Sequence, residues 1–379
     1  MERIQRLLDG FVEKKMAVGT SVLVYKDGAE AFWGQAGQRR LGDGTPFARD
    51  TILLMYSMTK VVTAVAAMTL MDKGVFTPDT PVYEFIPEYR SLQVAHPDGT
   101  REPVRTPLTI HHLLTMTSGI PYPDNSDDPV SQAFWEEMRK HPDTSGLTTL
   151  DMTRQIAACP VRFHPGEHWL YGLSADVLGG VIVAATGLEL GEYMKRTIFD
   201  PLGMKDTHFH VPAEKQHRMA GLYSAHEDGT FTPFGQLFTL PGLENTPAEM
   251  GGGGLYSTLD DFARFGEMLR KGGEGVLSPD ALQLMTRNHL SDALLEEFWD
   301  YRRGGYGYGY LVRTLLRQDL APDHRERPGS FGWNGMAGTS LRIDPARGLT
   351  VVYGIQRVPA HHDDFLPPLM QTIADVFGA

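Results

Sequence analysis

The 379-residue chain carries 35 Lys and Arg against 47 Asp and Glu, a formal charge of −12, with 41% hydrophobic and 22% charged residues. That is the composition of an ordinary globular protein with two or three domain-sized units and ample chain for a large core. The acidic balance argues against non-specific binding to nucleic acid or to an anionic membrane.

Cys159 is the only cysteine, so no internal disulfide forms and nothing demands an oxidising compartment. No apolar run reaches the length of about 18 residues that a transmembrane helix needs. The first 15 residues lack the continuous apolar stretch of a signal peptide. A cytoplasmic location is the resulting expectation.

Ile4, Leu7, Leu8, Phe11 and Val12 fall on one helical face, predicting a docked first helix. Residues 20–25 and 29–33 flank Lys26-Asp27-Gly28 and read as a hairpin with an Asp-Gly turn. Ser57-Met58-Thr59-Lys60 comes next, ahead of the almost wholly apolar 61–70, with Gly74 as a C-terminal cap. A short helix is expected from Thr109 to Ser118-Gly119, then a polar loop or flap over 121–148. Helical patterns follow at 150–158, 175–185 and 188–198. Gly251-Gly252-Gly253-Gly254 precedes a helix from Ser257-Thr258 through Leu269, and Ser278-Pro279 opens another in the order of cap then proline. The tyrosine-glycine run 304–310 predicts an aromatic-lined strand contributing to a pocket wall. Residues 339–343 and 349–355 form a second strand-turn-strand unit, and 367–377 a closing helix. Strands near both ends around a helix-rich middle predict a sheet domain over 1–65 and 215–379, with 66–214 as a mainly helical domain and the site at their interface.

Three segments carry chemistry. Residues three apart share a helical face, so Lys60 sits one turn behind Ser57, where its amine can take the hydroxyl proton. Ser57 would occupy the first turn, whose unpaired N–H groups and positive dipole end favour developing negative charge. A capping serine followed by a solvated lysine is the blander alternative, and a nearly all-apolar helix behind the pair speaks against it. A second acid-base group is sought in His164-Pro165-Gly166-Glu167-His168-Trp169-Leu170-Tyr171-Gly172-Leu173-Ser174, where Tyr171 could shuttle the proton with help from an adjacent ammonium. The third segment, Gly332-Trp333-Asn334-Gly335-Met336-Ala337-Gly338, brings glycines beside a strand, which lets an acyl group approach closely. There the N–H of Met336 would join that of Ser57 in an oxyanion hole.

Together these segments resemble the class C β-lactamase-like serine hydrolases, and more closely the family VIII carboxylesterases among them. Leu113-Leu114-Thr115-Met116-Thr117-Ser118-Gly119, His164-Pro165-Gly166-Glu167, Pro201-Leu202-Gly203-Met204 and the tetraglycine extend the likeness over about residues 18–357. The resemblance implies an α+β, β-lactamase/penicillin-binding-protein-like fold, with an antiparallel sheet flanked by helices and a helical domain. It implies Ser57 as nucleophile, Lys60 and Tyr171 as the proton-transfer pair, and Ser57 and Met336 as backbone oxyanion donors. Leu173 stands where β-lactamases carry an amide-binding Asn, and Trp333 where they carry a Lys. Loss of that polar group and that cation weakens the case for an anionic antibiotic. With Asn334 and Gly335 these positions are expected to meet a neutral ester. Ser126-Asp127-Asp128 resembles a class A motif only superficially.

No G-x-S-x-G elbow, H-E-x-x-H or paired C-x-x-C is present, and His361-His362-Asp363-Asp364 reads as a solvated loop rather than a metal site. The expected activity is cleavage of short-acyl esters through an acyl-enzyme, without cofactor or metal, on a small-molecule substrate. A β-lactamase or D-amino-acid peptidase, an acyltransferase and a non-catalytic ligand-binding relative are the alternatives. Natural substrate and oligomeric state leave no trace in the sequence.

Overall fold

The computed structural model describes all residues except 125–126, 142, 236–245, 302–303, 322–325 and 379. Ser126 therefore lies outside the described residues. Seven antiparallel strands form the main sheet: β1 (Gly19–Lys26), β2 (Ala29–Gly37), β3 (Tyr306–Tyr308), β4 (Arg313–Leu315), β5 (Phe331–Asn334), β6 (Ser340–Asp344) and β7 (Leu349–Ile355). Their order is β2-β1-β7-β6-β5-β4-β3, so the two ends of the chain meet at the β1–β7 pair, with Leu23 opposite Val352.

Both faces of this sheet are covered, as the apolar character of β1 and β7 requires. On one face Val22, Val24, Val351 and Tyr353 pack with α1 (Glu2–Glu13) and the C-terminal helix. Ile4, Leu8 and Phe11 of α1 are buried there, with Leu7 and Val12 packed against them, and the Phe11 and Phe365 rings lie 4.8 Å apart. On the other face Leu23, Leu341 and Val352 join the larger core with α2 (Thr59–Asp72), α3 (Ser174–Thr186) and α4 (Leu259–Arg270). Every residue of α2 from Thr59 to Leu70 is buried, which explains its lack of a polar stripe.

Three expectations change. The polar stretch 121–148 contains a helix, Pro129–Lys140, started by Asp128 accepting from the Ser131 N–H, with Pro129 at the first helical positions. The closing helix, α5, begins at His362 and runs to Phe377 with Pro367 and Pro368 inside it. His362, Asp363 and Asp364 therefore form its first turn rather than a loop. The helix expected over 188–198 is broken into Leu190–Met194, a π-turn at Lys195–Phe199, and Asp200–Leu202.

Among the described residues no single helix is long and apolar enough to cross a membrane.

Candidate active site

Ser57 sits in a single 3₁₀ turn, Tyr56–Met58, that leads into α2. The preceding residue, Tyr56, holds φ = 46°, an uncommon conformation for a bulky side chain. Such strain persists only where the surroundings impose it. Here the surroundings are the Met55 N–H, which donates to the Leu255 carbonyl at 2.8 Å, and Thr339 Oγ1, which donates to the Met55 carbonyl at 3.1 Å. A Cβ on Gly335 would collide with that same Met55 carbonyl and with Thr339 Oγ1. Glycine at 335 thus lets the end of β5 close against the serine turn, which is how Met336 and Ser57 come to line one cavity.

Lys60 is fully buried behind the serine. Its Nζ donates to Ser57 Oγ at 3.2 Å, to Tyr122 Oη at 2.8 Å and to the Gly252 carbonyl at 2.6 Å. As a neutral amine, Lys60 can keep two of these partners as acceptors, Tyr122 and Gly252, and turn its lone pair to the Ser57 hydroxyl proton. Gly252 serves two partners, because its own N–H donates to Asp176 Oδ1 at 2.9 Å, and a Cβ there would strike the Asp176 carboxylate. Burial pushes the Asp176 carboxyl up from its usual range, opposed by the Lys60 charge. The tetraglycine read as a helix approach therefore also wires the lysine into the site.

Tyr171 faces the same cavity. Its ring lies 4.8 Å from Lys60 Nζ, and its hydroxyl oxygen accepts from Trp333 Nε1 at 3.1 Å. With the oxygen accepting, the phenol's own proton remains available for donation. Tyr122 is the residue that sequence reasoning missed. Burial holds its hydroxyl well above the ordinary phenol range, so it stays neutral as a partner of Lys60.

The cavity encloses about 480 Å³, within the range of sites for small organic molecules. Tyr56, Met250, Tyr301, Val358, Pro359 and Ala360 give it apolar and aromatic walls, while Asn334, Gly335 and Met336 form one edge. Among the described residues none that lines it is Lys or Arg. Leu173 is not among them: it is fully buried at the start of α3. Trp333 is 1% exposed and also absent from the lining. Expected beside the substrate, its side chain instead lies behind the cavity wall with its indole N–H bonded to the Tyr171 hydroxyl. The 304–310 strand likewise stands one layer back, with Tyr308 edge-on to Trp333 at 5.5 Å, and Tyr301 reaches the cavity instead. His361 is exposed, as expected, and with His362 it also lines the cavity.

The family model described as Beta-lactamase matches residues 4–372. Protein Rv1367c of Mycobacterium tuberculosis is 32% identical over 342 residues, covering 86% of this chain and 82% of that protein. Esterase EstB of Burkholderia gladioli is 29% identical, covering 92% and 88%. Among solved structures, "EstCE1, a hydrolase with promiscuous acyltransferase activity" superposes with a TM-score of 0.83 at 24% identity, over 98% of this chain and 97% of that one.

Proposed function

The chain belongs to the Beta-lactamase family, and from that premise we propose that it is a serine esterase of the family VIII kind, acting on short-acyl esters through an acyl-enzyme on Ser57. The observation that carries this reading is the hydrogen-bonded line from Ser57 to Lys60, opening on an apolar cavity with no lysine or arginine among the described residues of its lining. The esterase relative EstB supports it over most of both chains.

In this mechanism Ser57 Oγ attacks the ester carbonyl as its proton passes toward Lys60. The backbone N–H groups of Ser57 and Met336 receive the oxyanion, each such donor being worth about 3–4 kcal/mol. Tyr171, whose oxygen is already engaged by Trp333, delivers a proton to the departing alkoxide. Tyr122 anchors the lysine through its hydroxyl. Water then releases the acid, or an alcohol accepts the acyl group in the same step.

A β-lactam substrate would bring a carboxylate into a cavity whose described lining residues offer it no lysine or arginine. Hydrolysis of p-nitrophenyl butyrate measured beside the cephalosporin nitrocefin tests the choice. Fast ester cleavage with little β-lactam turnover is expected, and the reverse preference would overturn the reading.

A further inference from the structure

Asn334 closes β5 at the edge of the cavity, and its orientation is dictated from behind. The β5–β6 register sets Asn334 opposite Ser340 and Gly332 opposite Arg342. A Cβ on Gly332 would strike the Leu341 carbonyl, so glycine lets the β5–β6 pair close beside Arg342. Arg342 Nη1 donates to Asn334 Oδ1 at 2.7 Å and Ser340 Oγ donates to the same oxygen at 3.0 Å. Arginine has donors only, so the atom facing it is the amide oxygen and cannot be the nitrogen.

Arg342 is fixed in turn. Its Nε donates to Glu326 Oε1 at 3.1 Å, and Tyr306 Oη donates to Glu326 Oε2 at 2.9 Å. Arg342, Glu326 and Asn334 are only 8%, 6% and 5% exposed. An enclosed ion pair adds little net stability against an apolar replacement, yet it can fix the polarity of a neighbouring amide. With the oxygen taken twice, the NH₂ end of Asn334 is the end left to meet a ligand in the cavity it lines.

We propose that Asn334 presents its amide NH₂ to the substrate, held in that sense by Arg342 and Glu326, and that the substrate is an ester bearing a second oxygen acceptor close to the scissile carbonyl. An ether, hydroxyl or further carbonyl oxygen fits. The inference rests on the reading of this cavity as an ester site. Arg342 and Glu326 are positioning residues, since they act on the substrate through Asn334.

Two isosteric ester pairs test it: p-nitrophenyl methoxyacetate against p-nitrophenyl butyrate for the acyl side, and 2-methoxyethyl acetate against butyl acetate for the alcohol side. In the wild type the ether member of one pair should show a KM lower by about tenfold, the scale of one neutral hydrogen bond. In Asn334→Asp, whose carboxylate retains a partner for Arg342 but offers no N–H, the ether-to-alkyl ratio of kcat/KM should fall by about tenfold. Arg342→Met frees the amide to flip and should lower the same ratio, while Arg342→Lys, which keeps a donor, should restore part of it. Intrinsic ester reactivity cancels between variants, and so does a partly folded preparation. Equal wild-type KM values within both pairs, or ratios unmoved in Asn334→Asp, would overturn the inference while leaving the esterase intact. Failure of the wild type to cleave any of the four esters would overturn the reading of the site itself.

Discussion

Lys60 ties together groups from three separated stretches of chain, Ser57, Tyr122 and Gly252, and the two tyrosines near it have different surroundings. Tyr122 is kept neutral by burial and bonded to the lysine, whereas the Tyr171 oxygen is bonded to Trp333. Tyr171→Phe should therefore lower kcat by about 10²–10³-fold, as loss of a general acid does, with KM little changed. Tyr122→Phe should cost less, about tenfold, and should move the pH profile of kcat, because one of the lysine's acceptors is gone. Equal losses with unshifted profiles would contradict this division of labour. Ser57 and Lys60 were legible in the sequence because helical spacing alone places them together. Tyr122 was not, since its partner lies 62 positions away. The one available signal was a tyrosine directly after the Ser118-Gly119-Ile120-Pro121 turn. Trp333 was noticed as a substitution, but only the folded chain shows that its indole serves Tyr171.

The elements around the serine turn are held by surface chemistry as well as by the core. Arg218 grips Asp206 through both carboxylate oxygens at 2.9 and 2.7 Å, and Lys215 adds a contact at 3.0 Å. The Arg218 carbonyl also receives the Ile52 N–H, so this clasp steadies the chain just before Leu53–Leu54 and the serine turn. The paired cations hold the Asp206 carboxyl down to about 2 from its ordinary 3.8. A depressed acid contributes stability that is full above the unfolded value and is lost as pH falls through the folded one. Asp206→Asn should accordingly cost about 1–2 kcal/mol near neutral pH in urea melts, with the gap closing between about pH 4 and pH 2. A gap independent of pH would contradict the clasp. Element boundaries were readable where apolar periodicity was strong, as in α1 and α2. They failed at Pro129–Lys140, where a loop-like composition hid the same order of cap then proline that was recognised at Ser278-Pro279.

Across the whole molecule, a histidine cluster joins the helical region to the edge of the sheet. His111 bonds the Tyr310 hydroxyl at 3.2 Å, His289 stacks on Tyr310 at 4.0 Å, and the Leu311 N–H donates to the Leu114 carbonyl at 2.9 Å. Burial brings His112 and His289 down to about 4 and lowers His111 as well. These rings are neutral in the fold and charge on unfolding as pH drops below about 6.5, so the unfolded state binds more protons over that interval. Stability should therefore decline from pH 6.5 toward pH 4, by at most about 3 kcal/mol for each ring brought to about 4. His289→Phe should flatten that decline, and an unchanged slope would contradict the assignment. The α+β architecture was foreseeable from strands near both chain ends and helices between them, and the family match extends over residues 4–372. This histidine link was not foreseeable, because each ring alone looks like a core residue and only tertiary contact assembles the three.

The most direct test of the central claim is the intact mass of the protein after treatment with a fluorophosphonate, read alongside p-nitrophenyl butyrate hydrolysis for the wild type and Ser57→Ala. One adduct per chain, mapped to Ser57, with both labelling and hydrolysis lost in a folded Ser57→Ala protein, is the predicted result. Hydrolysis that survives in Ser57→Ala, or an adduct on another residue, would contradict the account.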